Sequence, residues 1–138
     1  MTTPDRKPLP HEALTNVIIG AFYYVYNRLG YGFLESVYMA ALAKVLIKRG
    51  LRVSREVLVP VYLDGEIIAH QRLDMVVENT IIIEGKAGER MPEHAWPLLL
   101  HYLSATTLEV GLLLYFGPKP RVMRRDAPNS EKKALHPV

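Results

Sequence analysis

The sequence predicts an α/β fold with a central mixed sheet and helices on both of its faces. Three observations predict it. Apolar residues recur at three- and four-residue steps over the first third of the chain and at two-residue steps from Val53 onward. Asp64-Gly65 sits between two alternating runs, as a two-residue hairpin turn does. One helical stretch separates two apolar strands, and such a connection crosses over a sheet. With 138 residues the chain suits one domain, here 10–125, between a flexible leader at 1–9 and a disordered tail at 126–138.

The elements follow in order. Leu14, Val17, Ile18, Ala21, Phe22, Val25 and Leu29 line one face of a first helix that Gly30-Tyr31-Gly32 breaks. A second helix is expected from about Phe33 to Arg49, stopped by Gly50 behind the basic end Lys48-Arg49. Val53 to Leu63 is β-branched and alternating, and Glu66 to Val77 returns as its hairpin partner. Glu78-Asn79-Thr80 turns the chain into a third strand, Ile81 to Ala87. Met91-Pro92-Glu93 suits a helix start, with the helix running to about Thr107. Val110 to Phe116 reads as a buried strand, and Arg121 to Arg125 as a short edge strand whose charges guard it.

Composition excludes several classes of function. There is no cysteine, hence no disulfide scaffold, cysteine nucleophile or thiolate metal site. The five histidines lack the i, i+4 spacing of a zinc helix, and there is neither a glycine-rich phosphate loop nor a G-x-S-x-G elbow. Apolar runs are too short for a membrane span, and Met1 to Pro10 lacks a signal-peptide core. An intracellular, cytoplasmic protein without a membrane partner is expected. The formal charge of +3, from 17 Lys+Arg against 14 Asp+Glu, permits a nucleic-acid partner without requiring one.

The chemistry concentrates in Arg72-Leu73-Asp74 and Ile83-Glu84-Gly85-Lys86. Glu84 and Lys86 share a strand face. Asp74 joins them if the turn holds three residues, Glu78 to Thr80, which sets Asp74 opposite Glu84. Two carboxylates side by side repel unless a cation lies between them, and an all-oxygen set suits Mg²⁺ or Mn²⁺. A neighbouring lysine can orient a water or meet charge developing on a phosphate. The plainer reading is an exposed Glu84–Lys86 pair on an edge strand, with Asp74 in an unrelated ion pair. Glu35 lies on the otherwise apolar helix face of Tyr38, Met39, Leu42 and Leu46. Its partner could be a metal, the Tyr38 hydroxyl or Arg72; otherwise it sits half-exposed in the first turn, favoured by the helix dipole. Tyr23, Tyr24, Tyr26 and Tyr31 read as a helix-packing or dimer surface.

These residues carry a resemblance. Gly32-Phe33-Leu34-Glu35-Ser36-Val37-Tyr38 matches a G-x-x-E-x-x-Y signature. Behind it come Lys48-Arg49-Gly50-Leu51, Tyr62-Leu63-Asp64-Gly65, Arg72-Leu73-Asp74, Glu84-Gly85-Lys86, Tyr102-Leu103, Gly111-Leu112-Leu113 and Phe116-Gly117. Over about residues 11–125 the chain resembles the GxxExxY family, a branch of the PD-(D/E)XK nuclease superfamily. The resemblance implies a restriction-endonuclease-like αβββαβ core acting on nucleic acid as a metal-dependent nuclease. It implies Mg²⁺ (or Mn²⁺) on Asp74, Glu84 and the carbonyl of Gly85, with Lys86 as catalytic lysine and Glu35 as an additional acidic residue. A homodimer is compatible with so small a domain. Two positions depart from the family: Gly85 replaces a bulky apolar residue, and Leu98 stands where a glutamine is usual. Leu98 and the modest net charge favour the alternative, a nuclease-fold binding or interaction module without turnover.

Overall fold

A computed structural model describes residues 7–132. Two helices open the fold, α1 (Glu12–Leu29) and α2 (Glu35–Lys48). Three strands follow, β1 (Val53–Leu63), β2 (Glu66–Val77) and β3 (Ile81–Ala87), then α3 (Ala95–Ala105), β4 (Val110–Phe116) and β5 (Pro120–Asp126). The five strands form one sheet in the order β1-β2-β3-β4-β5. Only β3 and β4 run parallel, joined by the α3 crossover. The fold is thus the expected mixed-sheet α/β architecture, a restriction-endonuclease-like αβββαβ core from α2 to β4 with α1 and β5 added. No helix among the described residues is long and apolar enough to cross a membrane.

The core has two layers. Ile18, Phe22, Tyr38, Leu42 and Leu46 of α1 and α2 pack on Met75, Val77, Ile81, Ile83, Leu112 and Leu114. Leu99, Tyr102 and Leu103 of α3 pack on the other face, against Leu73, Val76, Ile82 and Leu113. Apolar side chains from both faces of β3 and β4 are therefore buried, as befits the only parallel pair in the sheet.

The hairpin register shifts at Val61/Tyr62 near its tip, and simple alternation also breaks deeper in the sheet. Val53 packs on the α1–α2 side, whereas Val57 and Val59 pack on the α3 side. In β2, Met75 and Val77 face α1 and α2, but Leu73 faces α3. The β1–β2 register skips the Glu56/Asp74 pair, and Glu56 takes φ +51°. A left-handed residue inside a strand breaks the pleat, so both strands change faces there. The turn residues Asp64 and Gly65 both have positive φ, as a tight hairpin turn requires.

Three expectations change. The third helix begins at Ala95, not Met91, because the chain first turns through Pro92, whose carbonyl accepts from the Ala95 N–H. The tail is not loose from residue 126: Asp126 closes β5 and Asn129–Glu131 form a 3-10 turn. Lys132 Nζ then donates to the carbonyls of Thr106 and Leu108 at 2.7 and 2.8 Å, satisfying backbone groups behind α3. Residues 133–138, like leader residues 1–6, lie outside the described residues. Finally, Arg124 is a staple rather than a free edge charge. It pairs with Asp126 at 2.8 Å, donates to Thr15 Oγ1 at 2.9 Å and reaches the Pro10 carbonyl.

Candidate metal centre

The site begins where β2 and β3 stop pairing. Their ladder holds at Val77↔Ile81, Val76↔Ile82 and Met75↔Ile83 and goes no further. The turn contains three residues, Glu78, Asn79 and Thr80, so the next opposed positions are Asp74 and Glu84, as the parity argument expects. At this step side chains replace the backbone ladder. The Gly85 N–H donates to Asp74 Oδ2 at 3.1 Å, and the Asp74 N–H donates to Glu84 Oε1 at 3.4 Å. The Asp74 N–H thus points toward β3, where the Glu84 carboxylate stands in for a ladder acceptor. Within a strand, a residue's N–H and C=O point to the same side. The Gly85 N–H reaches toward β2, so its carbonyl opens into the same gap.

Burial sharpens the chemistry. Glu84 is only 2% exposed. Its carboxyl pKa is pushed up to about 8, first by desolvation and then by the Asp74 carboxylate, while Lys86 pulls it down. A carboxylate so placed needs a proton or a cation. Asp74 and Lys86 are half-buried beside it. Among the described residues no three His, Cys, Asp or Glu side chains gather into a ligand cluster. Asp74, Glu84 and the Gly85 carbonyl would instead offer two carboxylates and one backbone carbonyl, all hard oxygens. Mg²⁺ is commonly held by one or two carboxylates with waters completing its shell, so these residues fit such an ion.

Glu35 comes from the opposite layer. It opens α2, half-buried, where the helix dipole favours a carboxylate. Desolvation raises its pKa; Lys86 lowers it and Asp74 raises it, so its charge lies within electrostatic reach of both. It also lines a hollow of about 260 Å³ with Gly32, Leu34, Ala87 and Gly88. Neither sequence-expected side-chain partner serves it. Tyr38 donates its hydroxyl hydrogen to the Gly30 carbonyl and accepts from the Phe33 N–H. Arg72 lies 3.8 Å from Glu56. The G-x-x-E-x-x-Y spacing thereby gains a physical reading. Gly32 supplies φ +119°, Glu35 starts the helix, and Tyr38 ties the preceding loop down while stacking on Phe116 at 4.4 Å.

The two departures have structural accounts. A Cβ at Gly85 would come within 2.2 Å of Met39 Sδ, so α2 fills from its own side the space that a bulky residue would occupy. Leu98 is half-buried against the α3-side cluster and brings no polar group to the site. One neighbour was not foreseen as part of the site. Tyr102 donates to the Arg72 carbonyl at 3.3 Å, and its pKa is raised by burial, then by Glu84 and Asp74. The signal was a tyrosine four residues after Leu98, on the helix face turned to the sheet. The tyrosines of α1, by contrast, disperse: Tyr26 bonds the Gly117 and Pro118 carbonyls, and Tyr24 lies under arginines.

A mixed sheet that opens between an antiparallel pair, with acidic and basic side chains gathered at the opening, is the frame of a restriction-endonuclease-like protein. The family model of the PD-(D/E)XK nuclease superfamily matches residues 12–126. The chain belongs to that superfamily, and its fold is nuclease-like. Members generally use divalent metal ions, and the membership suggests nucleic acid as the partner. No curated protein and no solved structure matches the chain significantly.

Proposed function

We propose that the protein is a metal-dependent nuclease hydrolysing phosphodiester bonds in nucleic acid. The observation that carries this reading is the opening of the β2–β3 ladder at Asp74 and Glu84, where a 2%-exposed carboxylate faces a second one. Asp74, Glu84 and the Gly85 carbonyl would hold Mg²⁺ or Mn²⁺. Bound there, the ion supplies charge neutralisation at a phosphate and makes water a better nucleophile at neutral pH.

The chain's own groups divide the remaining work. The backbone N–H groups of Asp74 and Gly85 fix the two carboxylates in place, so little reorganisation is needed when a ligand arrives. Lys86 sits electrostatically between Glu84 and Glu35. Its ammonium can orient the attacking water through one hydrogen and meet the charge growing on the phosphate oxygens with another. Glu35 balances that lysine from the helix side and can accept a proton from water at the site. Tyr102 closes the α3 side and keeps Arg72, two residues before Asp74, in register.

Leu98 supports a second reading, a nuclease-fold module that binds without turnover, because no polar side chain occupies that point of α3. A cleavage assay on mixed DNA and RNA substrates with Mg²⁺, Mn²⁺ or EDTA separates the two. Metal-dependent cleavage is expected, and Asp74→Ala and Lys86→Ala should each lower it roughly 10²–10³-fold, the scale of losing a preorganised group at a transition state. Circular dichroism should show both variants folded. Undiminished cleavage by Lys86→Ala would remove the lysine from the mechanism. A folded wild type that binds nucleic acid without cutting it would favour the module.

A further inference from the structure

A second feature of the molecule lies at the other end of α2. The C-terminal turns of α1 and α2 enclose a groove of about 530 Å³. Its floor is apolar, made by Val25, Leu29, Ala41 and Val45, and its rim carries Arg28, Lys44, Lys48 and Arg49. No carboxylate lines it. Among the described residues none of these four cations is in an ion pair. Two of them are held in place by an aromatic ring: the Arg28 and Arg49 guanidinium carbons lie 4.9 and 5.5 Å from the Tyr24 ring centre. Arg49 also lies against α1 at Gly20, where a Cβ would stand 3.5 Å from its guanidinium. Concentrating four unneutralised positive charges around a floor made by the partly buried margin of the core costs self-repulsion. The helix C-termini favour Arg28 and Lys48 and the Tyr24 ring favours the two arginines, but neither interaction neutralises the four charges, and the arrangement is complementary to an amphipathic polyanion.

We propose that this groove binds single-stranded nucleic acid, with phosphates on the cationic rim and an unstacked base over the apolar floor. The inference rests on the nuclease reading for the identity of the polyanion, but not on the carboxylate site. A duplex keeps its bases stacked inside and would touch the rim alone, leaving the floor uncovered. A single strand can satisfy both. Glu35 opens α2 and Lys48 closes it, about 20 Å away at 1.5 Å per residue. That separation amounts to several nucleotides of extended strand, so the groove is a contact distinct from the point of cleavage.

The test measures fluorescence anisotropy of a labelled oligothymidylate and of a labelled blunt duplex with the full-length protein in EDTA, over a range of salt. The variants are the exposed-surface double change Lys44→Glu/Lys48→Glu and, as a charge-matched control on exposed residues outside the groove, Lys119→Glu/Arg121→Glu. The double variant should weaken single-strand binding at least tenfold and flatten its salt dependence by roughly one to two units of slope. It should weaken duplex binding less, and Lys119→Glu/Arg121→Glu should not reproduce the loss. Unchanged single-strand affinity in Lys44→Glu/Lys48→Glu would overturn the proposal. So would an equal loss on the duplex, or a wild type that binds no oligonucleotide. A wild type that binds through the groove but never cleaves would overturn the nuclease reading and leave the groove standing. Cleavage by a protein whose binding ignores the double variant would do the reverse.

Discussion

The two ends of the β2–β3 pair differ within a single residue step. At residues 75–77 and 81–83 every side chain is apolar and at most 2% exposed, and backbone hydrogen bonds join the strands. At Asp74 and Glu84 the same strands carry carboxylates, and each carboxylate bonds the opposite strand's backbone. The closed end is stabilised by burial and by a ladder that leaves no polar group unmet. The open end keeps its backbone satisfied only by spending two anionic side chains, and it leaves their charges facing one another. The candidate site is a place where the sheet stops pairing but does not come apart, because side chains replace the missing ladder bonds.

The largest expected effect concerns pH. Glu84 keeps its proton up to about pH 8 in the folded protein, against an ordinary value of 4.5. Between those values the unfolded chain has released a proton that the native state holds. Stability of the metal-free protein should therefore fall as pH rises from 5 to 8, by on the order of 1 kcal/mol per unit. Urea denaturation in EDTA at several pH values measures it. Glu84→Gln should flatten the slope. Added Mg²⁺ should oppose the fall most strongly at high pH, where it no longer competes with the proton. A wild-type slope unchanged by Glu84→Gln would place the buried proton elsewhere.

A second comparison uses Gly85. Gly85→Val puts a branched side chain into the volume of Met39, which is itself only 3% exposed. The variant should lose about 1–3 kcal/mol by overpacking. Combining it with Met39→Ala should cost clearly less than the sum of the two single changes, since the new side chain fills the hole. Additive losses would show that the two residues do not share that space. The smallest effect is expected at Tyr38→Phe. It leaves the Gly30 carbonyl and the Phe33 N–H without their hydroxyl partner and should cost about 1–2 kcal/mol. Because that loop leads into Glu35, cleavage should fall further than stability alone predicts; if the two fall in proportion, the tyrosine serves the core only.

Much of this geometry is legible in the chain. Asp64-Gly65 marks the hairpin tip, and the three-residue turn after Val77 sets Asp74 opposite Glu84 by parity alone. The β-branched and apolar runs give the bounds of β1 to β4 because few other conformations bury them. What could not be read depends on partners distant in sequence. Glu56 adopts a left-handed conformation without being glycine or asparagine, so nothing local announces the change of face at Asp74. Gly85 looks like lost packing until α2 is seen to supply Met39. Arg124 looks like one charge in a basic edge until Thr15 and Pro10, more than a hundred residues away, come within reach of its guanidinium.

The central claim, that the open end of the β2–β3 pair is a cation site, is tested most directly by titrating the metal-free protein with Mg²⁺ and with Mn²⁺ in a calorimeter at pH 7. Two buffers of different ionisation enthalpy would be used, with Asp74→Asn and Glu84→Gln alongside. The account predicts saturable binding to the wild type, with heats that differ between buffers because Glu84 gives up its proton as the ion enters. It predicts strongly weakened binding in both variants. Absence of binding to the folded wild type, or equal binding by wild type and Asp74→Asn, would contradict it.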